Sequence, residues 1–347
     1  MACSNGRVAV LIVGFRNAGD VRECVSALGR CSPQNFDVFL CENGGAAAFQ
    51  EVCDELSGRG IVQKHCEGLA CSVSARVKGL VRAFCYRLSN TEISLVIGEA
   101  AENIGYAGGV NIWLRPLLEQ HGYAGFWILN PDTIPEPDAL RQLVDHAKLR
   151  KKGMVGSRIV PAGDLTVVHS RGLRWSPVLV RTKAVDFHAP ANFEPDMDRV
   201  ERLIDAPSGS SFYVTRECVE QIGLMDERYF LYYEDLDWGV RAKRRCGVGY
   251  AWRSIVPHHG GTTIGTAARR AARSRLSVYL EFRNRILFVR NTYPGWLPWT
   301  IAILLIRALE YGCVGSITNA KAAYSGISAG VAGEEGRPDQ MMAVHLG

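Results

Sequence analysis
The chain has 347 residues, 47 % hydrophobic and 22 % charged. This composition excludes a disordered chain, and the length suits about two domains at ~150 residues each, or one large α/β domain with additions. Forty Lys and Arg against 35 Asp and Glu leave a net charge of +5, too mild for a nucleic-acid binder, whose domains are strongly basic. Eleven cysteines, eight of them in the first 85 residues and none in a C-x-x-C pair, argue against a disulfide framework or zinc knuckle. They fit reduced, mostly buried thiols in a cytosolic protein.

The apolar run 8–13 is too short for the core of a signal peptide and ends in Gly14-Phe15-Arg16-Asn17, so it reads as a buried strand followed by a turn. Helical spacing follows at 18–28. Residues 37–41 read as a strand ending at Glu42-Asn43-Gly44-Gly45, 49–56 as a helix, 94–97 as a strand and 110–120 as a helix. Residues 126–129 form another strand, ending at Asn130-Pro131-Asp132. Over 137–150 a helix is marked by an early Pro137 and by Leu140, Leu143, Val144 and Ala147 at helical spacing. Strand–helix alternation of this kind implies a mostly parallel sheet covered by helices. The second half is less regular: turns and short strands over 161–205, a strand at 211–214, helices at 216–222 and 234–245, a strand at 250–256, and a basic helical tail after Gly265. A P-loop, a G-x-G-x-x-G turn after the first strand and a G-x-S-x-G elbow are all absent, which argues against the folds those motifs mark.

Ligands of open α/β sheets bind beyond the carboxyl ends of the strands. Four polar clusters fall there: Phe15-Arg16-Asn17, Glu42-Asn43-Gly44-Gly45, the run 102–111 with Gly105, Gly108 and Gly109, and Asn130-Pro131-Asp132-Thr133. Each alone is compatible with a turn; four at one sheet edge point to a site. Glycines before a helix expose backbone N–H groups that suit a phosphate, or else allow close helix–sheet packing. Asp132, after a buried strand, is placed either to cap the next helix or to hold a divalent cation on a diphosphate. Downstream, Glu234, Asp235 and Asp237 follow Tyr229-Phe230-Leu231-Tyr232-Tyr233. Acids in a first helical turn complement the dipole, but apolar walls also raise a carboxyl towards the range of a general base. His258 and His259 follow the next strand as a possible metal ligand, base or turn pair.

These clusters occur in the order and spacing of the family 2 glycosyltransferases of GT-A fold, and resemble most the bacterial rhamnosyltransferases and galactofuranosyltransferases of cell-surface polysaccharide assembly. The similarity spans residues 8–293 and rests on the N-x-G-x-A-G-G-x-N run 103–111, the strand end 129–133, the Pro-Glu-Pro-Asp-Ala-Leu run 135–140, Ser208-Gly209-Ser210-Ser211, the segment 223–237 and His258-x-Gly260-Gly261. It implies a GT-A domain over 1–265, with a nucleotide-binding half (1–135) and an acceptor-binding half (136–265), and a helical, membrane-associating extension over 266–347. Donor binding would fall to Phe15, Arg16, Glu42, Asn43, Asn103, Gly105, Gly108, Asn111, Asn130 and Asp132. Glu42 stands where the family has Asp and would reach the base or ribose. Asp132 and His258 would hold Mg²⁺ or Mn²⁺. Asp235, with Glu234 beside it, matches the catalytic base, and Ser208, Gly209, Tyr233 and Asp237 would meet the acceptor. The implied reaction is inverting transfer of a sugar, first rhamnose from dTDP-rhamnose, from a nucleoside diphosphate to a hydroxyl of a glycan or lipid-linked acceptor. Alternatives are an inactive sugar-nucleotide-binding scaffold on the same fold, or a nucleotidyltransferase.

The tail carries the charge. Residues 266–347 hold ten Lys and Arg against five acids, so they contain the whole excess of +5. Arg269, Arg270, Arg273, Arg275, Arg283, Arg285 and Arg290 precede a Trp-rich apolar run that is shorter than the ~20 residues of a spanning helix. The pattern suits peripheral contact of 266–310 with an anionic membrane or a lipid diphosphate, or packing on the catalytic domain or at a homo-oligomer interface. The expected place is the cytoplasm, with peripheral attachment to the inner face of the cytoplasmic membrane.

Overall fold
The computed structural model describes residues 6–64, 67–260, 273–313, 316–339 and 341; Gly261, Arg269 and Arg270 of the sequence pattern lie outside them. Along the first half run β1 (Arg7–Gly14), α1 (Ala18–Leu28), β2 (Phe36–Glu42), α2 (Ala46–Gly58), β3 (Val62–Lys64), α3 (Leu69–Ser74), β4 (Leu80–Leu88), β5 (Ser94–Ala100), α4 (Gly105–Glu119), β6 (Tyr123–Leu129) and α5 (Ala139–Arg150). Then come β7 (Met154–Pro161), β8 (Leu173–Ser176), β9 (Arg181–Ala184), α6 (Met197–Leu203), β10 (Ser211–Thr215), α7 (Arg216–Ile222), α8 (Glu234–Arg245), β11 (Val248–His258), α9 (Arg275–Thr292), α10 (Leu297–Cys313) and α11 (Ile317–Ala332). All strands but β8 and β9, which form a hairpin, join one sheet of order β11-β7-β10-β6-β1-β2-β5-β4-β3.

The centre of the sheet, β6-β1-β2-β5, is parallel. Its strands are continuous apolar runs because both faces are covered. Val8, Val10 and Ile12 pack against α1 and α2 on one face, while Ala9 and Leu11 pack with Phe126, Trp113 and α4 on the other. Parallel register brings the carboxyl ends level, with Gly14 opposite Glu42 and Glu42 opposite Glu99. The polar clusters therefore meet at one edge. β10 runs antiparallel between β6 and β7. It is tied inside by a buried chain in which Trp127 Nε1 donates to Ser211 Oγ (2.8 Å), Ser211 meets Ser157 (2.7 Å) and Ser254 donates to Ser157 (3.0 Å).

Several elements escape the sequence reading. β4 is largely half-exposed, and its alternation is interrupted by Arg82 and Arg87. β7 is buried almost throughout, yet Gly156, Ser157 and Arg158 break its apolar run; Arg158 is accommodated by stacking over Trp252 at 4.8 Å. α4 starts at Gly105, five residues earlier than the spacing indicates, so the glycine run lies inside the helix. Among the described cysteines all are free and five are buried, in line with the expected reduced thiols.

The C-terminal helices share a core with the segment that leads into α8. Val278, Phe282 and Ile286 of α9 pack with Tyr229, Phe230, Tyr233 and Leu236, and with Leu304 and Ala308 of α10 and Ala323 of α11. Among the described residues, much of the basic stretch packs on the domain, the second of the two readings of the tail. Arg283 and Arg285 are buried, Arg273 and Arg285 both pair with Glu281, and Arg290 caps α11 at Gly330 O (2.8 Å). No helix among the described residues is long and apolar enough to cross a membrane.

Candidate active site
The site is assembled around residues 208–211, which enter β10 between the end of β6 and the start of α8. Asn130 N donates to Ser210 O (2.9 Å), Ser210 Oγ lies 3.5 Å from His258 Nε2, and His258 Nε2 lies 3.1 Å from Asp132 Oδ2. On the other side, a Cβ on Gly209 would fall 2.5 Å from Asp235 Oδ2, so a larger residue there would push that carboxylate from its place. The structure thus brings Asn130, Asp132, Ser208, Gly209, Asp235 and His258 to one place.

Asp132 is 9 % exposed, and its Oδ1 is buried with no hydrogen-bond partner; His258 Nδ1 is likewise unpaired. A buried carboxylate oxygen without a donor is costly unless a cation takes that position. A carboxylate and an imidazole are too few for an all-protein metal cage, and no group of three potential ligands occurs among the described residues. Two protein ligands, with the remainder from diphosphate oxygens and water, is how Mg²⁺ is commonly held. The donor set fits such a cation.

Glu234 and Asp235 open α8 side by side. Burial raises both carboxyls, and the neighbouring Asp235 charge raises Glu234 further. Asp235 faces a cavity of about 710 Å³. Tyr106 bridges the two sides: its hydroxyl donates to Asn130 Oδ1 (2.8 Å), and burial, then Glu234, Asp235 and Asp132, push its pKa far up. Tyr106 was not singled out from the sequence, although it stands within the glycine run. His169, its ring centroid 6.1 Å from that of His258, was also missed. Burial, then His258 and His188, hold its imidazole below the usual range. Nothing in the sequence around it points to the site.

Asp235 follows an unusual loop. Phe230, Tyr232 and Tyr233 have φ of 63°, 70° and 77°, the left-handed region that bulky residues avoid. Two buried side chains of α9 hold it there. Asn284 Nδ2 donates to the carbonyls of Tyr229 (2.8 Å), Leu231 (2.8 Å) and Tyr232 (3.0 Å), and Arg283 donates to Tyr229 O (3.1 Å). Tyr233 lines the cavity and accepts from Arg285 Nε (2.5 Å).

At the ends of β1 and β2, Phe15 and Arg16 remain accessible, the guanidinium 5.3 Å over the ring. Glu42 differs from the expectation. It is fully buried and folds back, its Oε1 accepting from Arg16 N (3.0 Å) and Gly44 N (2.8 Å), so its side chain organises the loop instead of reaching outward. Burial raises its pKa. Asn43 donates to Gly105 O (2.9 Å) and Asn103 Oδ1 accepts from Gly105 N (3.0 Å), which fixes the start of α4.

Packing accounts for the glycines themselves. A Cβ on Gly105 (φ 76°) would meet Phe230 O at 2.2 Å, one on Gly109 Val13 Cγ1 at 2.7 Å, and one on Gly108 Ile104 Cβ at 3.0 Å. Tyr106 N donates to Phe230 O (2.8 Å), so the helix start is closed by protein and is no open phosphate cradle. Two further expectations are corrected. Asn111 is buried with its amide spent on Met225 and Glu227, away from the donor edge. Asp237, two residues past Asp235, lies on another face of α8, pairs with Arg241 (2.8 Å) and lines a different cavity.

Comparison with known proteins gives the family and the fold. Residues 5–277 match the family model described as glycosyltransferase like family 2, and the chain belongs to that family. It is 23 % identical over 260 residues to the low-salt glycan biosynthesis hexosyltransferase Agl10 of Haloferax volcanii, covering 70 % of this chain and 78 % of that protein. It is 28 % identical over 220 residues to the N-acetylglucosaminyl-diphospho-decaprenol L-rhamnosyltransferase of Mycobacterium tuberculosis, covering 57 % and 69 %. The fold resembles that of the mannosyltransferase PcManGT from Pyrobaculum calidifontis, solved with GDP-Man and Mn²⁺, at a TM-score of 0.51 and 13 % identity over 94 % of this chain and 87 % of that one. The fold class is therefore GT-A.

Proposed function
We propose that this glycosyltransferase moves a sugar from a nucleoside diphosphate to an acceptor hydroxyl with inversion, with rhamnose from dTDP-rhamnose as the first donor to test. The observation that carries this reading is Asp235. It is a half-buried carboxylate with a raised pKa, facing a cavity, beside the glycine that makes room for it and across Ser210 from the Asp132–His258 pair. Asp235 accepts the proton of the attacking hydroxyl, so the oxygen forms its bond to the anomeric carbon as the bond to the diphosphate breaks on the opposite face. Asp132 and His258 would hold Mg²⁺ or Mn²⁺, whose charge stabilises the leaving diphosphate. Phe15 and Arg16 bound the nucleoside side. Supporting the choice of sugar and of a lipid-linked or glycan acceptor are the two curated relatives, named for hexosyl and L-rhamnosyl transfer. The enzyme would work at the inner face of the cytoplasmic membrane.

A panel of dTDP-, UDP- and GDP-sugars, assayed for nucleoside diphosphate release with and without acceptor, tests this. One donor should be turned over, and Asp235→Asn should stop transfer while the donor still binds. Turnover near normal in that variant removes Asp235 from the role of base.

A further inference from the structure
Resting on that reading, we propose that Tyr106 is a positioning residue for the transferred sugar: its hydroxyl turns the Asn130 side chain so that the amide N–H groups meet a hydroxyl of that sugar. Tyr106 joins the two sides of the site. Its backbone N–H donates to Phe230 O (2.8 Å) in the loop that leads to Asp235, and its hydroxyl donates to Asn130 Oδ1 (2.8 Å) just past the end of β6. Glu234, Asp235 and Asp132 all act on it electrostatically. The residue is held in place from several directions. Gly105 before it has no room for a Cβ against Phe230 O, Asn103 Oδ1 accepts from Gly105 N (3.0 Å), and Tyr106 itself packs on the core that contains Trp113 and Phe126.

Asn130 is almost fully committed. Its backbone N–H donates to Ser210 O (2.9 Å), its carbonyl accepts from Thr133 Oγ1 (2.6 Å), and its side-chain oxygen accepts from Tyr106. Among the described residues its Nδ2 has no partner. Turned the other way, the amide would leave the phenol proton without an acceptor, so the Tyr106 hydroxyl decides which end of Asn130 stays free. The free end is a donor of two hydrogen bonds, which a carboxylate at this position could not be. A transferred sugar has to reach from the leaving diphosphate at Asp132 and His258 to the incoming hydroxyl at Asp235. It therefore passes the residue on which both sides act. A sugar hydroxyl accepts from an amide and still donates its own proton to a carboxylate, which suits a place among three acids. The nucleoside, bounded at the ends of β1 and β2, has no need of this amide.

The test separates the sugar from the nucleotide that carries it. Each sugar nucleotide and its own diphosphate are titrated calorimetrically into the full chain in Mn²⁺ without acceptor: dTDP-rhamnose and dTDP, UDP-glucose and UDP, GDP-mannose and GDP. The proteins are the parent, Y106F, N130A and the double variant. Y106F keeps the ring and the backbone bond to Phe230, and it carries the test alone should N130A fail to fold. For the sugar nucleotide that binds, each single variant should weaken affinity ~3–10-fold, the worth of one neutral hydrogen bond, while the diphosphate changes less than twofold. The double variant should lose no more than N130A, because the hydroxyl acts through the amide. An equal loss for the diphosphate overturns the proposal, since Tyr106 then supports the nucleotide pocket or the fold. Unchanged affinity in Y106F overturns it, as does a double variant whose loss is the product of the two single losses. Turnover of a donor without the selective loss overturns this proposal and leaves the proposed reaction standing. The selective loss without turnover of any donor does the reverse, and absence of binding in all three pairs overturns both.

Discussion

The two sides of the site are built differently. Asp132 and His258 stand at strand ends and are fixed by backbone: Thr133 and His258 form a bridge, and His259 N donates to Asp132 O (3.0 Å). Asp235 opens a helix whose approach is a left-handed loop, held by Asn284 and Arg283 from a helix some fifty residues further along the chain. A sheet edge preorganises the Asp132–His258 side. The Asp235 side depends on the C-terminal helices. Removing elements of the tail should therefore damage proton transfer before it damages donor or cation binding.

The largest effect should come from the base itself. Asp235→Asn should lower kcat by ~10²–10⁴-fold, the usual contribution of general base catalysis, with donor affinity unchanged by titration. On the other side, Asp132→Ala should cost at least ~10²-fold and abolish stimulation by added Mn²⁺, since a cation on the leaving group supplies several kcal/mol. If the two sides are separable, Asp132→Ala weakens donor binding and Asp235→Asn does not.

The comparison is broken or sharpened most directly at Asn284. Its amide donates to three carbonyls of the loop, of which Tyr229 O keeps Arg283 and Leu231 N as donors, and Asn284→Ala should destabilise the protein by about 1–3 kcal/mol through the lost bonds to Leu231 O and Tyr232 O. It should also lower kcat while leaving donor and Mn²⁺ affinity at their original values. Equal losses in kcat and donor affinity would mean that the clamp supports the whole fold and not the base side in particular.

How much of this was legible follows the same division. The sheet centre reads from sequence because parallel, doubly covered strands are plain apolar runs, and Asp132 stands out at the end of one. Asp235 stands out for the reason that acids rarely follow so many aromatics. What α9 does was hidden, since a run of arginines reads as solvated charge until Arg283 and Arg285 are seen buried against Tyr229 and Tyr233. Asn111, Asp237 and Glu42 share a different reason. Each has a residue type suited to a site, but a sequence carries no sign of which helix face or which neighbouring N–H the side chain meets.

The smallest effect concerns pH. Glu234 is 4 % exposed, with Oε2 unpaired, and its carboxyl is raised first by burial and then by the charge of Asp235. Asp235 must be ionised to accept a proton, so kcat/KM should fall on the acid side at a pH above the ordinary carboxylate range of ~4. The charge of Asp235 raises Glu234 and burial alone raises Asp235, so Glu234→Gln should leave the acid limb in place. Stability has the opposite sense. A carboxyl raised in the folded state contributes stability that is complete below the unfolded pKa of ~4.3 and lost as pH rises through the folded value. Glu234→Gln should therefore gain melting temperature relative to the parent above that window and not below it. An acid limb that moves down in Glu234→Gln would show that Glu234 carries charge when Asp235 titrates, and that burial does not set Asp235 alone.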